Sequence, residues 1–168
     1  MPLFQKSVIN KYISGLDKEA VKDAWARYQS HFFNPTIQAN IRDAKEEEYQ
    51  EGFVRDLFVN ILGYTLKPQP DYNFVLEKKT ETDATKSDGA LLHGDRIVGV
   101  VELKDTGTAE LDKIEKQVFS YKHKHKNCVY IITSNFEKLR FYINDATEYE
   151  EFDLFNLTAY RFTVLYVC

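Results

Sequence analysis

The stretch "KSDGALLHGDRIVGVVELKD", residues 86–105, decides how this chain is read. Two aliphatic and β-branched runs flank "HGDR", the pattern of two strands joined by a tight turn. The open end of that hairpin is out of keeping with a buried strand pair. Asp88 starts the first strand, and Glu102 and Lys104 close the second. Side chains alternate faces along a strand, so Glu102 and Lys104 point the same way. Whether Asp88 joins them depends on the turn, because a one-residue slip moves every side chain to the other face. A two-residue loop at Gly94-Asp95 pairs Asp88 with Val101 and leaves Glu102 on the opposite face. A three-residue loop, Gly94-Asp95-Arg96, pairs Asp88 with Glu102. The three-residue register, or an equivalent bulge, is the expectation.

Two carboxylates facing each other across a strand pair repel unless positive charge sits between them. Hard cations such as Mg²⁺ are held by one or two carboxylates with waters and substrate phosphates. A lysine two residues on reaches the same space, where it positions a water or stabilises charge developing on phosphorus. Acids, cation and ammonium together describe metal-assisted phosphodiester hydrolysis. The plain structural alternative is a turn aspartate beside a surface Glu102–Lys104 ion pair.

Outward from the hairpin, the first 42 residues look helical. "SGLDKEAVKDAWARYQSHF" begins at a capping residue, Asp17, and repeats Val21, Trp25, Tyr28 and Phe32 at helical spacing. Residues 34–42 read as a loop with at most one helical turn. A stronger helix follows over 43–64, with Tyr49, Phe53, Leu57, Phe58, Ile61 and Leu62 as its apolar stripe and Gly63 as its C-terminal cap. Strands are expected near 73–78, 87–92 and 97–104, then a helix over 108–126 carrying Leu111, Ile114, Val118 and Tyr121 on one side. "CVYIIT" and "IVGVVELK" are unbroken apolar runs, as in central strands covered on both faces. Residues 138–143 read as an edge strand and 144–153 as an acidic loop. The segment 154–168 begins another apolar element and ends without a cap or polar tail, as the start of a linker in a larger protein would. The fold class is therefore α/β: a mixed central sheet flanked by helices (core 43–153) with an N-terminal helical extension over 1–42.

Composition narrows the function classes. At 168 residues the chain makes about one domain with a real core. It has no apolar run of membrane-spanning length and no signal-type start, so no membrane partner and a cytoplasmic location are expected. Its two cysteines, Cys128 and Cys168, form neither a disulfide framework nor a zinc spacing. No phosphate-cradling glycine motif appears. A net charge of −4 argues that this chain alone grips DNA weakly, since nucleic-acid surfaces are usually basic.

The pattern Asp88…Glu102-Leu103-Lys104 resembles the PD-(D/E)xK nuclease superfamily. Two further features strengthen the likeness. "QVFSY", Gln117-x-x-x-Tyr121, resembles the Q-x-x-x-Y element of several subgroups, and "EEEYQEGFVRDLFVNILGY" is similar to the acid-bearing first helix that ends in L-G-Y or L-G-W. Ser87 stands where the signature proline would precede the aspartate. The entry and exit segments also look like the amino-terminal nuclease region of large bacterial type IIG-like restriction-modification proteins, a form of bacterial defence.

That resemblance implies a restriction-endonuclease-like core cleaving duplex DNA with Mg²⁺ (Mn²⁺ substituting). Asp88, Glu102 and the Leu103 carbonyl would be metal ligands and Lys104 the water-positioning or charge-stabilising residue. One glutamate of the first helix would reach the site; distance from Gly63 assigns Glu47, with Glu48 and Glu51 as rivals. Gln117 would hydrogen-bond near the active lysine or DNA with Tyr121 in support. The resemblance further implies covalently linked methyltransferase and recognition domains, with S-adenosylmethionine bound there and not in this segment. The alternatives are a type I restriction subunit or repair nuclease with the same fold, and a catalytically inactive scaffold. Lys86 and Ser87 are candidate DNA contacts or simply a polar strand entry. The "KHKHK" run (Lys122–Lys126) is read as a solvated helix end, His93 as a turn residue and Cys128 as buried filler.

Overall fold

The computed structural model describes residues 3–79 and 86–168. Helices α1 (Lys6–Ser14), α2 (Lys18–Phe32), α3 (Pro35–Asp43) and α4 (Glu46–Phe53) precede a six-stranded sheet. The strands are β1 (Phe74–Lys79), β2 (Lys86–His93), β3 (Arg96–Leu103), β4 (Tyr130–Ser134), β5 (Lys138–Ile143) and β6 (Tyr149–Asp153). They lie side by side in chain order. All neighbours are antiparallel except β3 and β4, whose parallel pairing requires a crossover. Helix α5 (Asp112–His123) supplies it, and α6 (Ala159–Val167) ends the chain. The architecture is mixed α/β, with helices on both faces of the sheet.

Local chemistry explains the helix starts. The Asp17 carboxylate caps α2 by accepting from the Glu19 and Ala20 N–H groups. Asn34 does the same for Thr36 and Ile37, with Pro35 at the first helical position. Residues 34–42, expected as a loop, are therefore the capped helix α3. Helix α4 continues without a break as a π-helical segment, Val54–Val59, in which Asn60 N–H bonds the Arg55 carbonyl five residues back.

One sheet face meets α4 and its extension. Phe53, Leu57 and Phe58 pack there with Phe74, Leu91, Val101, Leu103, Ile132 and Phe136. Tyr28 and Phe32 of α2 join the same cluster, and the Tyr28 hydroxyl donates to the buried Leu154 carbonyl. Phe162, Val164 and Leu165 of α6 belong to it too, and α6 packs on α1 and α2. Side chains from residues 3–42 and 154–168 thus join the same core as the sheet. The opposite face is smaller: Ala90, Val100, Ile131 and Tyr142 pack beneath Val118 of α5.

The expected edge strand 138–143 lies inside the sheet, because the acidic segment after it forms β6. Its charges are matched rather than solvated. Glu150 accepts from Arg161 at 3.1 Å, and Glu151 accepts from Arg140 at 2.6 Å. Phe152 between them is fully buried.

The hairpin turn holds two residues, Gly94-Asp95, with Gly94 at φ +64° supplying the left-handed conformation. Regular pairing from that turn would set Asp88 against Val101. Instead Leu92 pairs with Ile97 and Leu91 with Gly99, leaving Val98 as the surplus residue of a bulge. Beyond it Gly89 faces Val101, so Asp88 falls opposite Glu102. The three-residue loop is absent and the equivalent bulge is present.

Candidate functional site

The hairpin's open end brings four elements together. Asp88, half-buried on β2, accepts a 2.7 Å hydrogen bond at Oδ2 from the Leu103 N–H. A backbone donor thus fixes this carboxylate against the strand that carries Glu102. The Leu103 side chain itself is buried in the main core, which anchors the strand end.

Glu102 is 3% exposed, an unusual place for a carboxylate. Gln117 Nε2 of α5 donates to its Oε1 at 3.0 Å, and Lys104 Nζ lies 3.8 Å from the same atom. Gln117 Nε2 also donates to the Tyr121 hydroxyl at 3.0 Å, one helical turn away. The Q-x-x-x-Y pair therefore serves as a bracket for Glu102. Glu102 Oε2 is buried and has no hydrogen-bond partner among the described residues. Thr133, its register partner on β4, likewise leaves its buried Oγ1 unpartnered.

Lys104 lies just past β3, where its N–H donates to the Ser134 carbonyl at 2.9 Å. Its Nζ stands 3.6 Å from Glu46 Oε2 on the first turn of α4. The glutamate of α4 that reaches Lys104 is thus Glu46, one position before the expected Glu47. Residues 46 and 50 share one helix face, whereas position 47 is rotated by about 100°. Glu47 and Glu48 are exposed, and Glu51 pairs outward with Arg55 at 2.9 Å. Gln50, which the sequence did not single out, lines the cleft beside the Asp88 carboxylate and favours its charged form.

Three acids crowd around one ammonium. Burial, then the charge of Asp88, push Glu102 up to about 8, against the opposing pull of Lys104. Burial also raises Asp88, offset by the Leu103 N–H and Gln50, and raises Glu46, offset by Lys104. An added cation would relieve all three. Among the described residues no three His, Cys, Asp or Glu side chains converge as a ready-made metal cage. The donors available are two carboxylates, and so small a set fits an ion that keeps most of its waters. A cleft of about 250 Å³ opens beside Asp88, lined by Gln50, Glu51, Leu76 and Glu77.

The remaining candidates lie elsewhere. Ser87 is buried and its hydroxyl donates to the Gly89 carbonyl at 3.0 Å, so it faces inward and not a DNA surface. Lys86 is exposed and sits 3.8 Å from Glu77. His93 is exposed in the turn, and in the "KHKHK" run His125 is buried. Cys128 is buried, its thiol pushed up to about 11 by burial. No described helix is long and apolar enough to cross a membrane. Comparisons of the chain with protein-family models, curated proteins and solved structures find no match.

Proposed function

We propose that this chain is a metal-dependent nuclease domain of the PD-(D/E)xK kind, hydrolysing DNA phosphodiester bonds as part of a bacterial restriction-modification protein. The observation that carries the proposal is the pair Asp88 and Glu102, opposed across a bulged hairpin, with one buried Glu102 oxygen that receives no hydrogen bond from a described donor. A structural ion pair would have satisfied that oxygen, because an unpartnered buried carboxylate oxygen is costly.

Each residue has a task in this reading. Asp88 and Glu102 are the ligands for Mg²⁺, which supplies Lewis acidity toward the phosphodiester. Leu103 N–H and Gln117 Nε2 fix the two carboxylates before the ion arrives, so little reorganisation remains on binding. Lys104 places one positive charge beside them, where negative charge builds on the phosphoryl oxygens, and Glu46 holds that ammonium over the strand end. Burial of Glu102 keeps bulk water from screening these charges. The acidic chain offers few phosphate contacts of its own, so DNA affinity comes mainly from linked recognition and methyltransferase domains, the latter using S-adenosylmethionine.

The test is cleavage of supercoiled plasmid by the purified chain at high concentration with Mg²⁺ or Mn²⁺, beside Glu102→Ala and Lys104→Ala. Nicking or linearisation by the parent, reduced at least ~10²-fold in both variants, is expected. Equal cleavage by parent and variants would refute the assignment. A parent that neither cuts DNA nor binds Mn²⁺ would favour the scaffold reading.

A further inference from the structure

Resting on that reading of Asp88 and Glu102 as cation ligands, we infer that Gln50 is a positioning residue for Asp88, a neutral amide donor that aims one carboxylate at the cation without cancelling its charge. Three observations converge on it. Gln50 sits one helical turn after Glu46, so the face of α4 that reaches Lys104 also presents the amide. Its side chain lines the cleft beside Asp88, within reach of that carboxylate. The other carboxylate has the same kind of support from the other side: Gln117 of α5 donates to Glu102. One glutamine from each flanking helix thus stands beside one acid.

The choice of amide has a chemical reason. Asp88 and Glu102 repel, so each carboxylate gains by turning away from its partner. A lysine at position 50 would restrain Asp88 but compete with the cation for it. A glutamate would add a fourth carboxylate and supply no donor. An amide donates a hydrogen bond, keeps the full carboxylate charge and leaves the acceptor capacity of Asp88 open beyond the Leu103 N–H and itself. Outer supports of this type typically change metal affinity by ~10–100-fold when removed.

The test uses the ¹⁵N-labelled chain as parent, Gln50→Met, Gln50→Ala and Asp88→Ala. Methionine fills the space of glutamine but donates nothing, so it separates a donor from a spacer. The first readout needs no metal: the amide resonance of Leu103, whose N–H is bonded to Asp88 Oδ2. It should move in Gln50→Met and Gln50→Ala, in the direction set by Asp88→Ala. The second is Mn²⁺ affinity by calorimetry, expected to fall about tenfold in both Gln50 variants while thermal unfolding of apo Gln50→Met stays near the parent's. A Leu103 amide unmoved in Gln50→Met overturns the inference, and so does an unchanged Mn²⁺ affinity in a parent that binds the ion through Asp88. If Asp88→Ala leaves Mn²⁺ affinity untouched, or the parent binds none, the metal reading fails. The Leu103 amide then decides the Gln50–Asp88 contact by itself.

Discussion

Replacing Glu102 by glutamine should stabilise this protein, and the gain should depend on pH. Folding buries the Glu102 carboxyl against Asp88 and moves it from its ordinary 4.5 up to about 8. Between those values the folded chain holds a proton that the unfolded chain has released. Raising the pH therefore favours unfolding, up to about 1.36 kcal/mol for each pH unit. Across the whole interval from 4.5 to about 8 the ceiling is about 5 kcal/mol, reached above pH 8. Solvent relaxation and the shared titration with Asp88 reduce this to about 2–3 kcal/mol. Glutamine has the same shape, still accepts from Gln117 Nε2 and carries no charge to bury. Glu102→Gln should thus raise the melting temperature by about 5–10 °C at pH 8.5, with the gain shrinking to nearly nothing at pH 4.5. Calorimetric melts of parent and variant across pH 4.5–8.5 without divalent ions make the measurement. Saturating Mn²⁺ should then raise the parent's melting temperature and leave the variant's unchanged. A variant destabilised at every pH, or a difference flat with pH, would refute the claim that Glu102 is held against the charge of Asp88.

On the proposed nuclease reading, Lys104→Met should abolish cleavage while leaving Mn²⁺ binding in place, since the ammonium would assist chemistry without being a ligand; calorimetry beside plasmid cleavage separates the two. Gly89→Ala should destabilise the domain by about 1–3 kcal/mol in denaturant titrations, because an added Cβ would sit 2.8 Å from the Phe74 ring. The same clash presses on the strand next to Asp88, so its Mn²⁺ affinity should drop as well. Tyr28→Phe should cost about 1–3 kcal/mol by chemical denaturation, since it leaves the Leu154 carbonyl buried without its donor.

The site was more legible in the sequence than parts of the fold. The spacing of Asp88, Glu102 and Lys104, and of Gln117 and Tyr121, survives any plausible packing because it depends on strand alternation and a single helical turn. The bulge was legible only as one of two ways to set the acids face to face: nothing in "RIVGVV" announces that Val98 is the surplus residue, but with a two-residue turn the acids cannot meet without one. Glu46 was missed because distance from Gly63 was counted along a regular helix, whereas residues 54–59 are π-wound. Counting from the cap across such a segment misplaces the helix face. The strand β6 was hidden by its charges, which read as solvated until Arg140 and Arg161 are seen beside them. Helix α3 did carry its signal in Asn34-Pro35, a capping residue followed by a helix-starting proline, but the segment is short and only Ile41 of it is buried.

The one parallel joint in the sheet has a consequence for how the protein matures. Strands β1 to β3 and β4 to β6 are two antiparallel meanders, each closed by near neighbours in the chain and able to form early. Asp88 and Glu102 both belong to the first, so the acids meet as soon as that meander zips. Lys104 and Gln117 are fixed only later, Lys104 through its N–H to Ser134 of the second meander and Gln117 through the crossover helix between the two. A nascent chain would thus hold its acids before it possesses an ordered ammonium to act with them. Pulse-labelled hydrogen exchange during refolding should show the Val101 amide protected before that of Lys104, so that the cluster of acids and ammonium is complete only with the last joint made.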